Sequence, residues 1–112
     1  MDKQQMKLWL DKQFAGFKLE EKTMFGNPYW LVNGNMFANI EKDQVVLKLA
    51  AADVGPMIKA FDSKVKGYIM AFNGMLSKDK VAFGAGLDEA ALKPWFQKAY
   101  DTAKALPPKV KK

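Results

Sequence analysis

The sequence predicts a two-layer α+β domain, an antiparallel sheet of about five to six strands packed with three helices in the order α-β-β-β-β-α-β-β-α. Three observations carry this expectation. Apolar residues recur at helical spacing near the N-terminus, in mid-chain and toward the C-terminus. Short runs of β-forming residues lie between those segments, bounded by Gly, Asn and Asp. Asn33-Gly34 stands between two such runs, and a two-residue type I′ turn needs the positive φ that Asn and Gly adopt most readily.

The first helix has Met6, Trp9, Leu10, Phe14 and Phe17 on its apolar side, with Asp2 suited to cap it and Gly16 to end it. A short strand, Thr23–Pro28, follows. Then come Tyr29–Val32, the Asn33-Gly34 turn, Asn35–Ile40, a polar turn at Lys42-Asp43 and the alternating Gln44–Leu49, which together read as a meander. A helix is expected over Ala50–Phe61, with Gly55-Pro56 a local irregularity or its true start. Lys64–Gly67 reads as a basic turn, and Tyr68–Phe72 and Lys80–Gly84 as two further strands. Asp88 can cap a turn, Pro94 suits the first position of the last helix, and Leu92, Trp95, Phe96, Ala99, Ala103 and Leu106 supply its apolar stripe.

A chain of 112 residues suits one hydrophobic core. Residues 1–106 are read as a single domain, and 107–112 as a flexible basic tail. No apolar run is long enough to cross a bilayer, and Met1–Asp11 lacks the apolar centre of a signal peptide, so the expectation is a cytoplasmic protein.

What is missing is as informative. The chain has no His and no Cys, and its 18 basic residues are all Lys, so it also lacks Arg. Without His and Cys there is no common neutral-pH acid/base group, no thiol chemistry and no His/Cys zinc site. The carboxylate pairs Glu20-Glu21, Glu41/Asp43 and Asp88-Glu89 are placed at turns or element ends, where solvent leaves no pair set up for acid/base work. Ser63 and Ser77 lack a nucleophile-elbow context, and Gly84-Ala85-Gly86 fits neither dinucleotide nor phosphate-loop spacing. No enzyme, cofactor or metal is therefore expected.

At Thr23-Met24-Phe25-Gly26, followed by Tyr29-Trp30-Leu31-Val32-Asn33-Gly34-Asn35-Met36-Phe37-Ala38, the chain resembles the N-terminal domain of the TfoX (Sxy) family of bacterial competence regulators. That family shows an M-F-G turn, an aromatic or apolar strand and a V-N-G-x-M-F-A hairpin. Val45–Leu49 and the Trp95 helix running into Leu106-Pro107-Pro108-Lys109 are similar to its stand-alone members, and the likeness covers residues 1–109. The resemblance implies a two-layer α+β domain with a regulatory role in transcription. A C-terminal helical domain found in longer relatives is not expected in this chain. In the motif itself, Gly26 and Gly34 supply backbone freedom, and Met24, Phe25, Met36 and Phe37 supply packing.

With Asn33-Gly34 and Lys42-Asp43 as turn residues, Leu31 opposes Met36, Ala38 opposes Leu47 and Ile40 opposes Val45, on a core face shared with Tyr29 and Leu49. The other face then collects Trp30, Phe37, Asn39, Val46 and Lys48. Three helices suffice to cover one face, so Trp30, Phe37, Val46 and Lys48 are the expected contact surface for a protein partner or a second copy. The other arrangement open to this sequence has the last helix cross over and bury that face. A second functional class follows from the net charge of +6: weakly specific nucleic-acid binding through Lys104, Lys109, Lys111 and Lys112, where lysines act as point charges with little sequence information.

Overall fold

The computed structural model describes residues 3–24, 26–41, 44–62, 64–69, 73–84 and 87–107. Its elements are α1 (Lys3–Gln13), β1 (Glu20–Met24), β2 (Asn27–Val32), β3 (Asn35–Glu41), β4 (Gln44–Lys48), α2 (Ala51–Ala60), β5 (Val65–Ile69), β6 (Leu76–Phe83) and α3 (Glu89–Ala105). The six strands form one antiparallel sheet in the order β1-β2-β3-β4-β6-β5. This is the expected α+β element order. Asp2, Phe25, Lys42, Asp43, Ser63, Met70, Ala71, Phe72, Ala85, Gly86, Pro108, Lys109, Val110, Lys111 and Lys112, to which the sequence assigned capping, packing, turn, strand, loop or tail roles, lie outside the described residues.

Asn33 and Gly34 take φ of 52° and 79°, as a type I′ reversal requires, and join β2 to β3. The expected pairs Leu31–Met36, Ala38–Leu47 and Ile40–Val45 are all present. Between the first pair and the second, however, the ladder shifts: Trp30 faces Ala38, which leaves Phe37 as the extra residue of a β-bulge. A bulge of this kind interrupts strict alternation, so Phe37 and Ala38 both turn inward and Met36 turns outward.

That one inserted residue overturns the expected faces. Trp30 (3% exposed) and Phe37 (0%) lie in the core, whereas Tyr29, Leu31 and Met36 are half-buried on the opposite side. The ring of Phe14, just past α1, shows why the inward position is favoured. It meets Trp30 (5.3 Å between centroids), Phe37 (4.9 Å) and Phe96 of α3 (5.1 Å) edge-on in each case, a geometry in which the positive ring edge faces a negative ring face.

Strand limits also move from those expected. β1 begins at Glu20 rather than Thr23, because Glu20 and Glu21 pair with Leu31 and Trp30; these acids form the first end of an edge strand. β1 stops at Met24 opposite Asn27, with Gly26 (φ 77°) in the reversal. β5 begins at Val65, within the stretch expected to be a basic turn. Val65 is sealed in the core opposite Phe83, which in turn opposes Val45. Burial of that apolar row outweighs the low strand propensity of the neighbouring lysines. β6 accordingly runs back to Leu76.

Both later helices hold a proline inside rather than at the first position, Pro56 in α2 and Pro94 in α3. Each removes one i→i−4 hydrogen bond. In α3 the start is set instead by Asp88, whose carboxylate accepts from the Ala90 N–H at 3.2 Å. Leu92, Phe96, Ala99 and Ala103, all buried, hold the helix through the interruption. Two side-chain bonds tie α3 to the rest of the domain: the buried Asn35 side chain at the start of β3 donates to the Pro107 carbonyl (3.0 Å), and Trp9 Nε1 of α1 donates to Glu89 at the start of α3 (2.9 Å). Lys7 bridges α1 to β1 through Glu21 (3.2 Å), and its hydrogen bond to Asp11 is the main reason its pKa is raised above the ordinary 10.5.

Candidate interaction face of the sheet

Residues directly opposed in a ladder share a face, so the pairings divide the sheet into two surfaces. One contains Val65, Phe83, Val45 and Ile40 in one row, and Val81, Leu47, Ala38 and Trp30 in another. These residues join Met6 and Leu10 of α1, Met57 of α2 and Leu92, Phe96, Ala99 and Ala103 of α3 in one hydrophobic cluster. All three helices thus cover the same side.

The other side has no helix against it among the described residues. Its central row is Lys66, Ala82, Val46, Asn39, Tyr29 and Lys22, running from β5 to β1. Leu31 and Met36 lie beside that row on β2 and β3, and Lys48 opposes Lys80 beside it on β4 and β6. The face is therefore divided. Its β1–β3 part carries Met24, Tyr29, Leu31 and Met36 interleaved with Glu20, Lys22, Asn27, Asn39 and Glu41, and its β4–β6–β5 part carries Lys48, Lys66 and Lys80.

Val46 (2% exposed) and Ala82 (7%) are nearly closed to solvent although they stand apart from the helix-covered cluster. Tyr68 of β5 accounts for this. Its hydroxyl donates to the Glu41 carboxylate of β3, and β6 and β4 lie between those two strands, so the phenol extends across the very strands that carry Ala82 and Val46. Such a reach requires the sheet to curl toward this face, since neighbouring strands are about 4.8 Å apart. Lys80 Nζ sits 5.9 Å from the centre of the Tyr68 ring, within cation–π range. Burial, and secondarily the bond to Glu41, push the Tyr68 pKa up to about 12.

Two shallow hollows flank this strap. One, of about 300 Å³, is lined by Met24, Pro28, Tyr29, Met36 and Asn39, with Glu41, Tyr68 and Lys80 at its border. The second, of about 370 Å³, lies toward the β5 edge and is lined by Gln44, Lys64, Lys66, Ile69 and Ala82 among others. The first has aliphatic and aromatic walls with polar groups at the rim.

Of the four residues expected to make the contact surface, Val46 and Lys48 do lie on the uncovered face, and Trp30 and Phe37 do not. Val46 is sealed beneath the strap, which leaves Lys48 as the one reachable member. The arrangement in which α3 crosses to bury this face is not adopted. Leu31, Met36, Tyr29, Tyr68 and Lys80 are the residues that sequence reasoning missed. Adjacent buriable residues at Phe37-Ala38, inside an otherwise alternating strand, were the only local sign of the shift. On the helix layer, Lys104 is exposed on α3 with its ammonium 6.0 Å from the Tyr100 ring centre. It is not gathered with the lysines of the sheet.

Among the described residues no group of three or more His, Cys, Asp or Glu could hold a metal ion, and no helix is long and apolar enough to cross a membrane. In comparisons with protein-family models, with curated proteins and with solved structures, the chain matches none.

Proposed function

We propose that this protein is a non-enzymatic interaction module that binds another protein through the uncovered face of its sheet. One observation carries the reading: α1, α2 and α3 all pack on one side, leaving Tyr29, Leu31 and Met36 partly exposed on the other, where no helix lies against them among the described residues. A sheet face of mixed Met, Leu and Tyr with a polar rim has the composition of a contact surface. The absence of His, Cys and Arg from the chain supports a role without catalysis. The resemblance to the TfoX N-terminal domain at Met24 to Ala38 supports a regulatory setting, in transcription and in the bacterial cytoplasm.

The test is site-specific photo-crosslinking in cells. A photoreactive residue replacing Leu31 should give defined protein adducts, whereas one replacing the exposed Gln97 on α3 should give few. Equal yields at the two sites would remove the uncovered face as the contact surface. Sedimentation of the purified protein separates the partners: a concentration-dependent dimer lost in Leu31→Glu identifies a second copy, and a monomer identifies a different protein.

A further inference from the structure

Lys48 and Lys80 stand directly opposite each other on β4 and β6, and Lys66 projects from the next row of the same face. Like charges opposed across an antiparallel ladder destabilise a sheet. Among the described residues, the acid paired with this group is Asp79, whose carboxylate is 4.0 Å from Lys48, and Glu41 receives the Tyr68 hydroxyl. Within the fold Lys48 has Asp79 and Lys80 has the Tyr68 ring, but Lys66 is exposed, and the repulsion between the opposed ammonium groups is not relieved by these contacts. A ligand bearing carboxylates would relieve it.

The neighbouring part of the same face is apolar and deformable. Met24 is 51% exposed, Met36 and Leu31 are half-buried, and the hollow they adjoin has Tyr29 in its wall. Unbranched Met side chains adapt to partners of varied shape. Nucleic acid fits these features less well. Base stacking needs free aromatic faces, but the Tyr68 ring already carries Lys80 and lies across the sheet, so among the described residues of this face Tyr29 remains as the platform. The chain also has no Arg to read bases or clamp phosphate in bidentate fashion.

Resting on the reading of this face as the contact surface, we infer that its partner presents an acidic amphipathic segment. The carboxylates of that segment meet Lys48, Lys66 and Lys80, and an apolar side chain enters the hollow beside Tyr29 and Met36. The charges set the encounter rate and orientation, and the apolar anchor supplies the lasting contact.

Fluorescence anisotropy tests this with a labelled peptide of Glu, Ala, Leu and Phe whose apolar residues recur at helical spacing. The comparison probes are the same peptide with Lys in place of Glu, and a labelled oligothymidylate. The acidic peptide should bind, the basic one should not, and Lys48→Glu/Lys66→Glu should weaken binding by about tenfold or more with an unchanged melting midpoint. Raising salt to about 0.5 M should weaken binding further, because these charges are exposed to screening. Met36→Ser should weaken it at both salt concentrations. Failure of the acidic peptide to bind, or binding indifferent to the double charge reversal, overturns the inference. Tighter binding of oligothymidylate, lost in the same variant, overturns it in favour of nucleic acid. If Leu31 crosslinking persists while the acidic peptide fails, the contact surface stands and only its acidic ligand falls; loss of both removes both.

Discussion

The two faces of the sheet are built from the same six strands, yet they solve different problems. On the helix side, Phe14, Phe37 and Phe96 with Trp30 interlock edge to face, and all four rings are nearly or fully closed to solvent. On the other side, protection is local: one tyrosine reaches over Ala82 and Val46, and Leu31 and Met36 remain half-exposed. The difference shows that burial of a residue and its membership of the core are separate properties. Val46 is as inaccessible as most core residues although no helix lies over it among the described residues.

This comparison predicts a graded set of substitution effects. The largest is Phe37→Ser. Removing a fully buried ring from the aromatic cluster should cost about 3–5 kcal/mol, measured by urea unfolding with unchanged slope. A loss under about 1 kcal/mol, the range typical of surface positions, would return Phe37 to the uncovered face.

Next is Gly34→Val, expected to cost about 1–2 kcal/mol because a side chain at φ 79° crowds the following carbonyl. A thermal melt reads it, and an unaltered midpoint would exclude the type I′ turn.

On the uncovered face, Leu31→Ser should cost far less than Phe37→Ser, about 1 kcal/mol, since the side chain is only partly buried and lies outside the helix-covered cluster. A loss comparable to that of Phe37→Ser would mean that the two faces are equally part of the core.

Tyr68 gives a pH-dependent reading of the strap. Folding raises its pKa from 10.0 to about 12, so the folded state binds the phenolic proton more tightly than the unfolded chain does. Stability is therefore at its plateau below pH 10 and declines as pH rises through 12. Tyr68→Phe should flatten this alkaline decline and raise the solvent accessibility of Glu41. A phenol titrating at the ordinary tyrosine value would show that the strap is open.

The smallest expected effect is Gly67→Ala. A Cβ there would approach Leu76 Cδ1 at 2.6 Å, but that methyl is the free end of a side chain 62% exposed, which can turn away. The change should be within about 0.5 kcal/mol. A larger cost would place Leu76 in a fixed packing position at the β5–β6 hairpin.

Local chemistry was legible in the sequence wherever neighbours along the chain decide the conformation. Asn33-Gly34 specifies its turn because so few residue pairs accept positive φ, and the spacing of Met6 and Leu10 or of Leu92, Phe96, Ala99 and Ala103 specifies helices with one buried side. The element order and the pairs flanking the hairpin follow from those signals. Pro94 misled because its preference for a first helical turn is a local tendency, and the Asp88 cap together with the packing of Leu92 and Phe96 outweighed it. The candidate site was legible only in part, since alternation assigns a face to a residue only while the ladder stays regular. The bulge at Phe37 goes with contacts distant in sequence, where its ring packs edge-on against Phe14, which also meets Trp30 and Phe96. The sequence by itself thus determined the elements, their order and the position of the main hairpin. Which residues face the helices and which face a partner was decided by tertiary structure, because that choice turns on the packing of three segments that meet only when the chain is folded.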